Sequence, residues 1–158
     1  MADPRGKPIL LLGAGGAARA IAVELGLAGA AHITIVNRNV AQAETIAALV
    51  RDNTGSDASA VAWDGAVTVS DGIDVVINAT PVGLGDGEAM PAIALDSLKK
   101  GQVVADVIPN PPRTRLLREA QARGCTPLDG LGMLVEQAAE GVESVSYTNL
   151  TLPTTTPL

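Results

Sequence analysis

The residues of this chain that could do chemistry are glycines, carboxamides and one arginine, and what they suit is holding an anion. Gly13-Ala14-Gly15-Gly16-Ala17-Ala18 follows the apolar run Ile9-Leu10-Leu11-Leu12 and opens an alanine-rich stretch. In a strand-to-helix turn of this kind, Gly13 permits the tight reversal, Gly15 lets backbone approach phosphates without an intervening Cβ, and Ala18 allows helix and strand to pack closely. The helix N-terminus then offers unpaired N–H groups and the positive end of its dipole to a pyrophosphate. A second signal stands at the end of the next apolar segment, in Asn37-Arg38-Asn39. In a dinucleotide fold an acid in that slot would take the ribose 2′-hydroxyl, whereas an arginine accommodates a 2′-phosphate. Arg38 supplies the planar, permanently charged fork that suits a phosphate monoester. NADP is therefore favoured over NAD, with NAD remaining open.

These residues need a parallel sheet to position them, and the rest of the sequence supplies one. Strand-length apolar segments at 8–12, 32–36, 58–63, 74–78, 102–106 and 125–128 alternate with segments of helical period. The expected architecture is α/β: a Rossmann-type, doubly wound parallel sheet of about six strands with helices on both faces. A helix is expected from about 16 to 28, with Ala18, Ile21, Ala22 and Leu25 inward. A second should bury Val40, Ala43, Ala47 and Val50. Thr114 is placed to cap a third, which ends at Gly124, and Leu131, Leu134, Val135, Ala138 and Val142 mark the face of a last one. Pro109, Pro111 and Pro112 lack N–H donors, so the chain must leave the sheet there. A long Gly- and Pro-rich loop is expected over 80–91.

The chain has 158 residues with a net charge of −6, one Trp, one Tyr and no Phe, so one core of Ala, Val, Leu and Ile is expected. No basic cluster exists to neutralise nucleic-acid phosphates. No apolar run approaches the roughly 18 residues of a membrane span, and the short run after Arg5 and Lys7 is a poor secretion signal. The single Cys125 excludes an intrachain disulfide, and the expected address is the cytoplasm. His32 has no second histidine with which to share a metal, and no metal site is expected. Trp63 and the acidic loop 86–88 read as packing and solvation. From about Ser144 the chain carries no charge, many threonines and no helical period. The segment 144–158 is read as a non-native disordered tail, like a translated cloning scar, following a dinucleotide-binding domain over 1–143.

Four motifs in order resemble the NADP-binding domain of the shikimate dehydrogenase family, including its quinate dehydrogenase-like branch. Gly13-Ala14-Gly15-Gly16-Ala17 is similar to the family's glycine turn and Asn37-Arg38-Asn39 to its adenosine clamp. Asn78-Ala79-Thr80-Pro81-Val82-Gly83-Leu84 resembles its Asn-Ala-Thr loop, and Asp129-Gly130-Leu131-Gly132-Met133-Leu134-Val135-Glu136-Gln137-Ala138 its final segment. The resemblance spans about 7–143. It implies an oxidoreductase of aromatic amino-acid biosynthesis, moving hydride between NADP and shikimate or a related cyclic hydroxy acid. It places Gly13, Ala14, Gly15, Gly16 and Ala17 at the pyrophosphate, and Asn37, Arg38 and Asn39 at the 2′-phosphate ribose. It puts Thr80 beside the cofactor, Val107 and Gly130 at the nicotinamide, and Gln137 at the substrate.

The departures are specific. Gln42 stands where the clamp usually has a basic residue, Asn39 replaces a Thr, and Leu84 a Met. Pro109 stands where the family commonly has a substrate-contacting Tyr, which weakens the case for shikimate itself. Family members carry their proton-transferring Lys and Asp in an N-terminal substrate domain, so no catalytic residue is assigned here. The small-molecule substrate would be met through a missing or separate domain, and the isolated chain is expected to be inactive. The alternative reading is a stand-alone, non-catalytic nicotinamide-nucleotide-binding module.

Overall fold

The computed structural model describes residues 3–107 and 113–129. Six strands form one sheet: β1 (Pro8–Leu12), β2 (His32–Asn37), β3 (Asp57–Ala62), β4 (Val75–Asn78), β5 (Val103–Asp106) and β6 (Thr126–Asp129). Their order is β3-β2-β1-β4-β5-β6, and every neighbouring pair is parallel. The topology reverses between β1 and β4, where a doubly wound sheet opens a crevice beyond its strand C-termini. The predicted strands are all present, with ends displaced by a residue or so; β6, for example, starts at Thr126 rather than Cys125.

Helices α1 (Gly16–Leu27) and α2 (Val40–Asn53) make the crossovers β1–β2 and β2–β3 and cover one face. There Ile9, Leu11, Ile33, Ile35 and Ile77 meet Ala18, Ile21, Ala22 and Leu25 of α1 and Ala43, Ala47 and Val50 of α2. The small alanines let the helix axes approach the strands, and Ala18, Ala22, Ala43 and Ala47 are fully buried. Val40 departs from expectation. As the first residue of α2 it is 44 % exposed, and Ile46 takes its place in the buried stripe.

Among the described residues the opposite face holds one regular helix, α3 (Arg115–Ala122), whose Leu116, Leu117 and Ala120 are completely buried against Leu10, Leu12, Val76 and Val104. The β3–β4 and β4–β5 crossovers contain no α-helix. They cover the sheet with Val69, Ile93 and Leu98 and are joined by a parallel bridge from Val67 to Ile93. Helices thus lie on both faces, as expected, and among the described residues irregular chain adds much of the second face's cover. Cys125 is buried here, and burial raises its thiol pKa, which makes it an unreactive core residue. The expected helix over 131–142 and the 144–158 segment lie outside the described residues. No described helix is long and apolar enough to cross a membrane.

Candidate functional site

The strand C-termini converge on a cleft of about 690 Å³. One corner is polar and built by the β2–α2 turn: Asn37, Arg38, Asn39 and Gln42. Asn37 ends β2, and its side-chain amide donates to Asn39 O at 2.9 Å and to Gln42 Oε1 at 3.2 Å, tying the turn to the helix that follows. Asn39 caps α2, its Oδ1 accepting from the N–H groups of Ala41 and Gln42 at 3.0 and 3.3 Å. Arg38 is exposed, and no hydrogen bond or ion pair engages its guanidinium among the described residues. The rest of the wall comes from Trp63, Thr80, Val82 and the 90–92 segment.

Thr80 joins this cleft to the glycine turn. Gly13 has φ +105, and a Cβ there would stand 3.0 Å from Thr80 Cγ2 and 3.1 Å from Ala79 O, so only glycine fits between the ends of β1 and β4. Gly15 and Gly16 differ: their φ values are not left-handed, and a Cβ on either would meet no protein atom within 4 Å. The space above them is open. Gly15 is the N-cap of α1, without a side-chain cap and with no acid in the first turn. Among the described residues the first-turn amides of α1 therefore have neither intrahelical nor side-chain acceptors, the condition in which a helix end accepts an anion. Gly13, Ala14, Gly15, Gly16 and Ala17 border the cleft through Thr80 rather than lining it.

Behind the loops lies a buried polar chain. Parallel register sets Asn78 beside Asp106. Asn78 Nδ2 donates to Asp106 Oδ1 at 3.1 Å, and Asn78 Oδ1 accepts from the Thr80 hydroxyl at 2.6 Å and the Thr80 N–H at 3.1 Å. Asp106 Oδ2 accepts from the Thr114 hydroxyl at 2.8 Å, and Thr114 caps α3. Asn78, Asp106 and Thr114 are essentially inaccessible to solvent, and Thr80 is half-buried. The Thr80 hydroxyl is thus already committed, and Thr80 serves the cleft by position and shape. Val107 donates its N–H to Asn78 O at 3.0 Å and packs against the α1/α2 side of the sheet, away from the cleft lining. Gly130 and Gln137 lie outside the described residues.

Of the predicted site residues, the structure brings Asn37, Arg38, Asn39 and Thr80 into one cleft and sets the glycine turn beside it. The residue read too blandly in the sequence is Trp63, which lines the cleft. Its place just past a parallel strand's C-terminus was the available signal. His32 lies at the other end of the sheet, bonded to Asp57 and Ser59 at 3.2 and 2.9 Å. Among the described residues no three His, Cys, Asp or Glu side chains gather as a metal site.

The model of the shikimate / quinate 5-dehydrogenase family matches residues 2–83. The shikimate dehydrogenase (NADP(+)) of Methanopyrus kandleri is 42 % identical, the match covering 89 % of this chain and 50 % of that protein. Among solved structures, the ligand-free 5-ketofructose reductase of Gluconobacter sp. strain CHM43 is 61 % identical with a TM-score of 0.84, over 90 % of this chain and 52 % of that one. The Listeria monocytogenes shikimate 5-dehydrogenase, in complex with shikimate and NAD, is 34 % identical with a TM-score of 0.74, over 89 % and 51 %. The chain spans about half the length of these relatives. Sequence motifs, strand order and cleft agree with these matches: the chain belongs to the shikimate / quinate 5-dehydrogenase family.

Proposed function

We propose that this chain is the nicotinamide-nucleotide-binding half of an NADP-dependent oxidoreductase whose substrate is a small polyhydroxylated ketone or alcohol. The observation that carries the reading is the open space over Gly15 and Gly16 at the uncapped first turn of α1. A dinucleotide's pyrophosphate supplies the acceptors those amides lack, and the backbone at Gly15 and Gly16 can approach it without an intervening Cβ. Arg38, with no protein partner among the described residues, takes the 2′-phosphate in a charge-assisted contact. Gln42 adds a neutral carboxamide to that corner rather than a second cation, which leaves NADH a usable, weaker ligand. The names of several relatives give NADP(+) or NAD, consistent with this.

The bound nucleotide supplies hydride exchange at its nicotinamide ring. This chain's part is to seat and orient it: the glycine turn fixes the phosphates, Asn37 and Arg38 the ribose end, and Val107 with Gly130 the ring end. The family resemblance assigns Gln137 to the substrate. Proton transfer at the carbinol oxygen falls to the substrate-binding half that the full-length relatives carry, because a general acid must lie within hydrogen-bond reach of that oxygen.

Two substrates are in view. The family resemblance points to 3-dehydroshikimate and shikimate, or a related cyclic hydroxy acid. The 61 % identity to a 5-ketofructose reductase, with Pro109 at the family's Tyr position, favours a keto sugar. Isothermal titration tests the nucleotide reading: NADPH binds more tightly than NADH, and Arg38→Ala narrows that gap by about tenfold, the usual worth of one charge-assisted contact. Equal affinities in the native chain overturn the NADP assignment. Fusing the chain to the amino-terminal half of the Gluconobacter enzyme or of the Methanopyrus one, and following NADPH oxidation with 5-ketofructose and with 3-dehydroshikimate, decides between the substrates.

A further inference from the structure

We propose that Trp63 is the stacking wall for the nucleotide's adenine ring, an assignment that rests on the nucleotide reading above. The cleft lining has two parts. Arg38 and the carboxamides form the polar corner, and Trp63, Val82, Met90 and Pro91 form an apolar side facing the same 690 Å³ space. A nucleoside phosphate has the same two-part chemistry: sugar and phosphate require donors, and the base requires a flat polarisable surface. Trp63 is fixed at both ends. Its backbone N–H donates to Asn37 O at 2.9 Å, which couples it to the residue beside Arg38, and its indole N–H donates to Ala92 O at 3.2 Å.

With its one polar atom already bonded to Ala92, Trp63 has only its ring surface to offer a ligand. The indole is half-buried and, like Val67 and Met90, packs against the core of the second face, so little side-chain freedom remains to be lost on binding. Gly65, which also lines the cleft, keeps the approach open, since a Cβ there would meet nothing within 4 Å.

Trp63 is the sole tryptophan of the chain, so its emission reports on this wall alone. The test titrates the 158-residue chain with adenosine 2′,5′-bisphosphate and, separately, with nicotinamide mononucleotide, by calorimetry and by tryptophan emission. Adenosine 2′,5′-bisphosphate should quench the emission saturably, with the midpoint that calorimetry gives, and nicotinamide mononucleotide should leave it unchanged. Trp63→Leu should weaken the bisphosphate about tenfold and Trp63→Phe by no more than about threefold, as expected for loss and retention of one stacked base. Circular dichroism checks folding, and if the Leu variant does not fold, the emission titration and the Phe variant decide. Calorimetric binding with unchanged emission, or with the folded Leu variant within twofold of native, overturns the role of Trp63 and leaves the nucleotide reading intact. Absence of any bisphosphate binding removes both.

Discussion

The N-termini of α1 and α3 stand at the same end of the sheet and are finished in opposite ways. At α3 a threonine does everything locally: Thr114 Oγ1 accepts from Leu117 N–H, donates to the buried Asp106 and is itself 1 % exposed. At α1 the N-cap is Gly15, with no side chain to offer, no acid in the first turn and empty space above it. A cap is worth about 1 kcal/mol, and α2 and α3 both have one. Leaving α1 without one makes sense where the missing acceptor arrives from outside the chain. α3 is closed within the chain, and α1 is the end that the proposed nucleotide would complete.

Breaking the closed end should have the larger effect on folding. Thr114→Ala removes a helix cap and takes from the buried Asp106 Oδ2 the hydroxyl that donates to it. Together these cost about 2–3 kcal/mol, read as a lower midpoint in urea denaturation. Because Asp106 also receives Asn78, which holds Thr80 against Gly13, looser packing should reach the glycine turn as well. A Thr114→Ala chain as stable as the native one would show that the buried chain of hydrogen bonds is incidental.

Closing the open end should have the reverse signature. Gly15 has φ −88, so an L-residue is accepted without strain, and Asp is a preferred N-cap. Gly15→Asp should therefore leave thermal stability equal or slightly higher. Its carboxylate would occupy the amides and repel the nucleotide's phosphates, weakening NADPH by about 100-fold, within the range of two like charges a few ångströms apart near a surface. Unchanged NADPH affinity would mean that the phosphates sit elsewhere.

How much of this could be read from sequence follows the range of the interactions. The strands were legible because parallel strands buried on both faces must be near-continuous apolar runs, as in Ile9-Leu10-Leu11-Leu12 and Val75-Val76-Ile77. Gly13 and Thr114 were legible because turns and caps are local. Val40 misled because helical period marks a face but cannot say where along the helix the sheet ends. The loop over 80–91 was legible from its Gly and Pro, but not which residues of the two crossovers cover the second face, because Val69, Ile93 and Leu98 have no common period. The Asn78–Asp106–Thr114 chain depends on strand register across separate segments, and Trp63 joins Arg38 in one cleft only when β2 and β3 are paired.

Asn39 sharpens the contrast most finely, since it combines both roles. Sequence motif places it in a ribose clamp, whereas in the structure its side chain caps α2 through Ala41 and Gln42. If capping is its work, Asn39→Ala should cost about 1 kcal/mol of folding stability and change NADPH affinity little once the chain is folded. Asn39→Asp keeps the acceptor and with it the cap, so stability should hold. It also sets a negative charge one residue from Arg38, at the corner proposed for the 2′-phosphate. The ratio of NADPH to NADH affinity should then fall, because only NADPH brings a second anion to that corner. Loss of binding in Asn39→Ala with stability intact would assign its side chain to the ligand after all, and would move the cap of α2 into the same class as the open end of α1.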